Sequence, residues 1–157
     1  MTHYDRFLAQ LGRHEGCSLV PYRCSAGHWT IGKGHKLLTS DVQGLRINME
    51  IADALLDADA RDAWRTAYDL TRGVQGMDDD KGTVRLYALA NMAFNLGAGG
   101  LGEFKRMWAA IQRGDWAEAA REALASKWAT QVGDGPGGKE DRAEELAEQI
   151  RTGEWQR

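Results

Sequence analysis

The chain has 157 residues, of which 43% are hydrophobic and 27% charged, and a formal net charge of −3. That length supports one compact unit, or two small lobes sharing a helix. No apolar run nears the roughly 18 residues of a spanning helix, so membrane insertion is not expected; nor is a nucleic-acid partner.

In chain order, the first element is a helix behind Thr2, a residue suited to N-capping. Tyr4, Leu8, Leu11 and Glu15 recur at helical spacing, with Phe7 beside them. Glu15 ends that apolar stripe and so points inward. An inward carboxylate costs free energy unless it is paired or hydrogen-bonded. Gly16 lets the chain turn. Leu19 to Cys24 reads as a strand, with Pro21 implying an edge or a bulge. Ser25-Ala26-Gly27 reads as a turn, and His28 to Gly32 as the returning strand.

A long helix follows, capped by Asn48 and running to about Thr71, with Ala52, Leu55, Leu56, Asp59 and Ala63 on one stripe. Gly73 to Asp80 reads as a loop. Lys81 to Leu96 is an apolar helix closed by Gly97. Shorter helices are predicted over Gly102 to Arg113, Asp115 to Ala125 and Ser126 to Gln131. Val132 to Gly138 reads as a flexible glycine-rich loop. Lys139 to Thr152 is the last helix, ended by Gly153.

The two cysteines are Cys17 and Cys24. Seven extended residues span roughly 20 Å, well beyond the ~6 Å Cα separation of a disulfide. Free thiols and synthesis in a reducing cytoplasm are expected. The first residues, Met-Thr-His-Tyr-Asp-Arg, lack the apolar core of a signal peptide, so no export leader is expected. Residues 1–48 hold six Lys and Arg against three Asp and Glu. That local excess would favour an anionic surface in an ionic-strength-dependent way.

The spacing of Glu15, Cys24 and Thr30, followed by Ile31-Gly32-Lys33-Gly34-His35, resembles the catalytic signature of T-even-phage-type lysozymes, glycoside hydrolase family twenty-four. That signature places Asp or Cys nine residues after Glu, and Thr six residues later. Arg85 to Gly97 is similar to the family's central helix. Trp116-Ala-Glu-Ala-Ala, Ser126-Lys-Trp128, Arg142-Ala143 and Arg151-Thr-Gly-Glu-Trp155 follow in the family's order.

The resemblance implies a mainly-α, α+β, lysozyme-like fold. It would be a single domain over 1–157. A small β-hairpin lobe (about 13–47) would be joined by a bridging helix (about 48–71) to a helical lobe (about 80–157 plus the N-terminal helix). It implies a phage endolysin that hydrolyses the β-1,4 bond between N-acetylmuramic acid and N-acetylglucosamine in peptidoglycan. Such a protein would be a monomer without cofactor or metal. It would be made in the host bacterial cytoplasm and released to the wall by a separate holin. The alternatives are a lytic transglycosylase forming 1,6-anhydro-muramic ends and a non-catalytic wall-binding module. The first would not need Cys24 and Thr30, and the second would not need Glu15.

Glycoside hydrolysis needs an acid for the leaving oxygen and a means to activate or replace water. Glu15 is the candidate acid, and the resemblance pairs it with Arg142. On spacing alone, Arg142 equally suits an intrahelical pair with Asp141 or Glu145. Cys24 would act as a thiol, as a thiolate base beside Arg23, or as a nucleophile. Thr30 would hold water. The resemblance implies that His35 pairs with Asp59. It also implies that Phe94, Met107, Glu122 and either Lys36 or Leu37 line the saccharide cleft. On periodicity, Phe94 and Met107 equally suit helix core.

Overall fold

Helix α1 runs His3–Glu15, and its start is fixed by a reciprocal pair of bonds. The Asp5 N–H donates to Thr2 Oγ1 at 3.1 Å, and the Thr2 N–H donates to the Asp5 carboxylate at 2.7 Å. Such a capping box satisfies two donors that helix geometry leaves without partners. Phe7, Gln10 and Leu11 form the buried face.

Strands β1 (Ser18–Arg23), β2 (Trp29–Gly32) and β3 (His35–Lys36) build an antiparallel sheet in the order β1-β2-β3. β1 is an edge strand, and its register with β2 shifts between Ser18 and Tyr22. Pro21 lies inside that interval, where a missing N–H is tolerated. The sequence pattern predicts only the first two strands. β3 has two residues, too few to show an alternation.

Helix α2 (Met49–Thr71) begins where Asn48 Oδ1 accepts the Ile51 N–H at 2.9 Å. Ala52, Leu56, Ala60, Ala63 and Ala67 are its buried apolar residues, and Thr71 is buried at its end. The structure describes residues 1–133 and 142–156, in two compact units, Met1–Arg61 and Asp62–Arg157, with the division inside α2. The remainder of the glycine-rich loop, and the first residues predicted for the last helix, lie outside the described residues.

The second unit is helical. α3 (Asp80–Gly102) is capped by Asp79, whose Oδ1 accepts the Gly82 N–H at 2.7 Å. The helix was expected to stop at Gly97. The backbone does leave helical geometry there (φ 71°, ψ 174°), but it resumes through Gly102. The extra turn buries Leu101, whose carbonyl accepts Trp108 Nε1–H at 2.9 Å. α4 consequently starts later than predicted, at Lys105, and ends at Gln112. α5 (Trp116–Leu124) is capped by Asp115, and α6 (Lys127–Gly133) follows. α7 spans Arg142–Thr152 and ends at Gly153.

Leu89, Met92, Ile111, Leu146 and Ile150 are fully buried in this unit. Arg85 fixes the end of α7: its Nε–H donates to the Ile150 carbonyl at 2.9 Å, and its guanidinium lies 4.2 Å from the Trp116 ring centroid. Burial pushes the Arg85 pKa down, against the opposing charge of Asp79. No described helix is long and apolar enough to cross a membrane.

Candidate active site

Glu15 is the last residue of α1 and is half-buried. Its carboxylate lies against Gly34, in the turn between β2 and β3. A Cβ added at Gly34 would stand 2.7 Å from Glu15 Oε2 and 3.0 Å from its Cδ. Gly34 also has φ +81°, a conformation that side chains disfavour. The positive φ favours glycine at that position, and the close approach sets the end of the Glu15 side chain against the hairpin turn, where an added Cβ would displace it.

The sheet register brings the next residues together. Tyr22 pairs with Thr30, and Thr30 pairs with Lys36. Directly opposed residues project from the same face, so these three form a row. Cys24 lies just past the end of β1, two residues beyond Tyr22. Its backbone closes a tight turn: the Cys24 N–H donates to the His28 carbonyl at 2.9 Å, and the Gly27 N–H donates to the Cys24 carbonyl at 2.8 Å.

Partial burial pushes the Cys24 thiol up. Hydrogen bonds from the backbone amides of His28 and Ala26, the Thr30 hydroxyl and the Lys36 charge outweigh it. The net effect holds the thiol below its ordinary value. Tyr22 is pushed up, first by burial and then by the negative charges of Glu15, Cys24 and Cys17. The expected helper of Cys24, Arg23, is turned elsewhere. Its Nη1 donates to the Gly27 carbonyl at 2.9 Å, and its guanidinium stacks 4.5 Å from the Trp29 centroid. Adjacent strand residues face opposite sides, which accounts for Arg23 turning away from Cys24.

Thr30 is buried, and its hydroxyl donates to the His28 carbonyl at 3.0 Å. It is also among the groups that hold the Cys24 thiol below its ordinary value. A hydroxyl has one proton to give. With a thiol, Thr30 can donate to His28 and accept from Cys24; with a thiolate, it must rotate and donate to sulfur. The two cysteines are free, with Cys17 exposed and Cys24 half-buried.

Two contacts tie the hairpin to α2. His35 Nδ1 is 2.8 Å from Asp59 Oδ2, and Lys33 Nζ is 2.6 Å from Asp53 Oδ1. A carboxylate only accepts, so the His35 proton in that contact is on Nδ1. A third tie is Tyr4, whose hydroxyl donates to Asp57 at 2.8 Å from α1. Among the described residues, no cluster of three His, Cys, Asp or Glu could hold a metal.

The remaining candidates lie elsewhere. Leu37 is half-buried, and its N–H continues the hairpin by donating to the Trp29 carbonyl at 2.8 Å. In the second unit, Met107 and Glu122 line a cavity of about 540 Å³ together with Leu96, Phe104 and Trp128. Met107 itself is fully buried. Phe94 is half-buried on α3, outside that lining. Arg142 is buried rather than on the surface. Its Nε and Nη2 donate to Asn91 Oδ1 at 2.9 and 2.7 Å. Sequence reasoning did not single out Asn91, Gly34, Tyr22 or the electrostatic part of Lys36. Among these, Gly34 alone gave a signal, as a glycine inside the His-bearing motif.

The sequence model of the phage lysozyme family matches residues 12–145, which contain Glu15, Cys24, Thr30, His35 and Asp59. The chain is 30% identical over 142 residues to the pre-baseplate central spike protein Gp5 of Enterobacteria phage T4, covering 78% of this chain. It spans only 24% of that protein's length. It is also 26% identical over 140 residues to probable T4-type lysozyme 2 of Dictyostelium discoideum, covering 75% of this chain and 81% of that one.

Proposed function

This chain belongs to the phage lysozyme family, and from that membership we propose that it hydrolyses the β-1,4 bond between N-acetylmuramic acid and N-acetylglucosamine in peptidoglycan. The observation that carries the reading is the convergence on one hairpin: the Glu15 carboxylate packs on Gly34, Thr30 pairs with Tyr22, and Cys24 stands two residues beyond Tyr22 in the turn closed on His28.

In the proposed reaction Glu15 gives its proton to the leaving glycosidic oxygen. Cys24, whose thiol is held below its ordinary value by two backbone amides and the Thr30 hydroxyl, takes the place that a second carboxylate has in most two-carboxylate glycosidases. It orients the attacking water and stabilises the oxocarbenium-like transition state. Thr30, being buried, acts by aiming Cys24. The Glu15 proton and the water then complete the exchange: the leaving sugar takes the Glu15 proton, the muramic acid carbon takes hydroxide from the water, and the water's other proton returns to the Glu15 carboxylate and regenerates the acid. In the second unit, the cavity shared by Met107 and Glu122 is the proposed saccharide-binding surface, and Lys36 and Leu37 are the proposed contacts on the hairpin.

In this account the protein acts as a monomer. It is made in the host cytoplasm, reaches the wall through an opening formed by a separate holin, and causes lysis. Mass spectrometry of digested purified peptidoglycan tests the chemistry. Reducing-end muramic acid is the expected product. Anhydro-muramic ends would mean a transglycosylase, and no soluble muropeptide would mean a binding module.

A further inference from the structure

We propose that the cavity of the second unit recognises the peptide that muramic acid carries, with Glu122 as the specificity residue that takes an ammonium group of that peptide. The inference deepens the hydrolase reading and rests on it for the identity of the ligand.

One wall of the cavity is held in place by printed contacts of its own. Trp128 is buried at the start of α6, and its indole Nε1–H donates to Asn95 Oδ1 at 3.2 Å. Its ring meets that of Phe104 edge-on, with the centroids 6.2 Å apart. Leu96 and Met107 add apolar lining. The volume of about 540 Å³ lies within the roughly 300–1,000 Å³ of sites that take ligands of drug size.

Five charged side chains line the same cavity: Glu103, Lys105, Arg106, Glu122 and Lys127. Among the described residues, none of the five makes an ion pair. Elsewhere in this unit ion pairing is common: Arg65, Arg72, Arg121 and Arg151 each bind the carboxylate three residues before them. Arg121, the immediate neighbour of Glu122, is among those bound elsewhere, to Glu118. Lys105 and Arg106 also stand in the first turn of α4, where the helix dipole disfavours cations. Glu122 is half-buried, whereas Glu103 is exposed. A carboxylate that shares a cavity with two aromatic rings suits an ammonium group, which gains from the charge and from the rings.

The chemistry of the wall strand decides which part of it fits. In peptidoglycan the lactyl carboxyl of muramic acid is used in the amide bond to the peptide, so both sugars are neutral. The ionised groups belong to the peptide: carboxylates along it and at its end, and the side-chain ammonium of its diamino acid. A neutral sugar ring in the cavity would reduce the hydration of five charges and offer none of them a counter-charge. The peptide offers both signs, an ammonium for Glu122 and carboxylates for Lys105, Arg106 and Lys127. Muramic acid then lies at the mouth of the cavity while its peptide enters. Cross-linking turns that ammonium into an amide, so the site favours strands that are not cross-linked.

The test follows the indole N–H signal of Trp128 by NMR as the whole chain is titrated with two probes. One is the tetrapeptide L-alanyl-γ-D-glutamyl-L-lysyl-D-alanine, and the other is the same peptide with its lysine amine acetylated. Both should shift the signal. The free amine should bind about five- to tenfold more tightly, between the scale of a charged hydrogen bond and that of an exposed ion pair. Glu122→Gln, an isosteric change, should weaken the first peptide to the level of the second and erase the difference. Lys127→Met should weaken both and keep the difference, because it acts on the carboxylates. On purified walls, acetylating the free amines should slow muropeptide release by wild type and leave the rate of Glu122→Gln unchanged.

Equal affinity of wild type for the two peptides, or a difference that persists in Glu122→Gln, would overturn the proposal. Displacement of the peptide by chitotetraose, a neutral saccharide, would also overturn it. The titration does not require catalysis. A protein that distinguishes the two peptides but releases no muropeptides would keep the peptide site and overturn the hydrolase reading; one that releases muropeptides but binds neither peptide would do the reverse.

Discussion

Replacing Gly34 by alanine tests the tie between the hairpin and the acid more sharply than removing the acid. The added Cβ would sit 2.7 Å from Glu15 Oε2, 3.0 Å from Cδ and 3.2 Å from Cγ. Ordinary contact begins near 3.5 Å, so the end of the Glu15 side chain must retreat by about 0.8 Å. A misplacement of about 1 Å at a reacting group costs on the order of a hundredfold in rate. The predicted loss for Gly34→Ala is therefore about thirty- to a hundredfold in kcat.

The backbone adds a separate effect, because φ +81° costs a non-glycine residue about 1 kcal/mol. For a chain of this size that lowers Tm by about 2–4 °C. Gly73→Ala separates the two effects. Gly73 has the same φ of +81° but nothing within 4 Å of an added Cβ, so it should lose similar stability and keep its activity. Both variants are compared by thermal unfolding and by clearing of outer-membrane-permeabilised cells. If Gly34→Ala cleared walls within twofold of wild type, the contact with Glu15 would have no bearing on catalysis and the assignment of the acid would lose its structural support.

Cys24→Ala should lose activity by about a hundredfold or more, the scale of a positioned base, whereas Cys24→Asp should keep substantial activity. The pH profiles should also differ. Wild-type activity falls as pH drops through the folded thiol's value, which lies below the ordinary one. Cys24→Asp should extend activity to lower pH, because a carboxylate ionises several units lower, near 3.9. His35→Asn removes the bond to Asp59 and should cost about 0.5–1 kcal/mol, since both side chains are part-exposed; equal melting temperatures would refute it. Arg85→Met strands the Ile150 carbonyl and removes the stack on Trp116. It should cost about 2–3 kcal/mol by denaturant unfolding, and Arg85→Lys should recover little of that loss, because the ammonium lacks the planar fork.

Local signals were legible in the sequence and long-range ones were not. Thr2, Asn48, Asp79 and Asp115 begin helices because a short polar side chain meets an orphan amide two or three residues on; of these, Thr2, Asn48 and Asp115 could be picked out beforehand. Pro21 announced the irregular edge strand for an equally local reason. Gly97 announced a break in α3 but not the resumption beyond it. That turn is held by burial of Leu101 and a bond from Trp108, which no local pattern encodes.

The same limit applies to the site. Glu15, Cys24, Thr30, His35 and Asp59 were singled out through spacing and family resemblance. Arg23, the cation beside Cys24 in sequence, lies over Trp29 and donates to the Gly27 carbonyl instead, because adjacency in sequence is opposition on a strand. Lys36 is placed opposite Thr30 only by the register of β2 and β3, which no local pattern encodes. Asn91 stayed hidden for a similar reason: its partner Arg142 is 51 positions distant, and nothing in an apolar helix marks one buried amide as an acceptor.

The most direct test of the central claim compares purified wild-type protein with Glu15→Gln on purified peptidoglycan, with folding checked by circular dichroism and products read by mass spectrometry. Wild type should release muropeptides ending in reducing N-acetylmuramic acid, and the folded Glu15→Gln protein should release almost none, because the amide has no acidic proton to give the leaving oxygen. A Glu15→Gln protein that releases the same products at a rate near wild type would contradict the account.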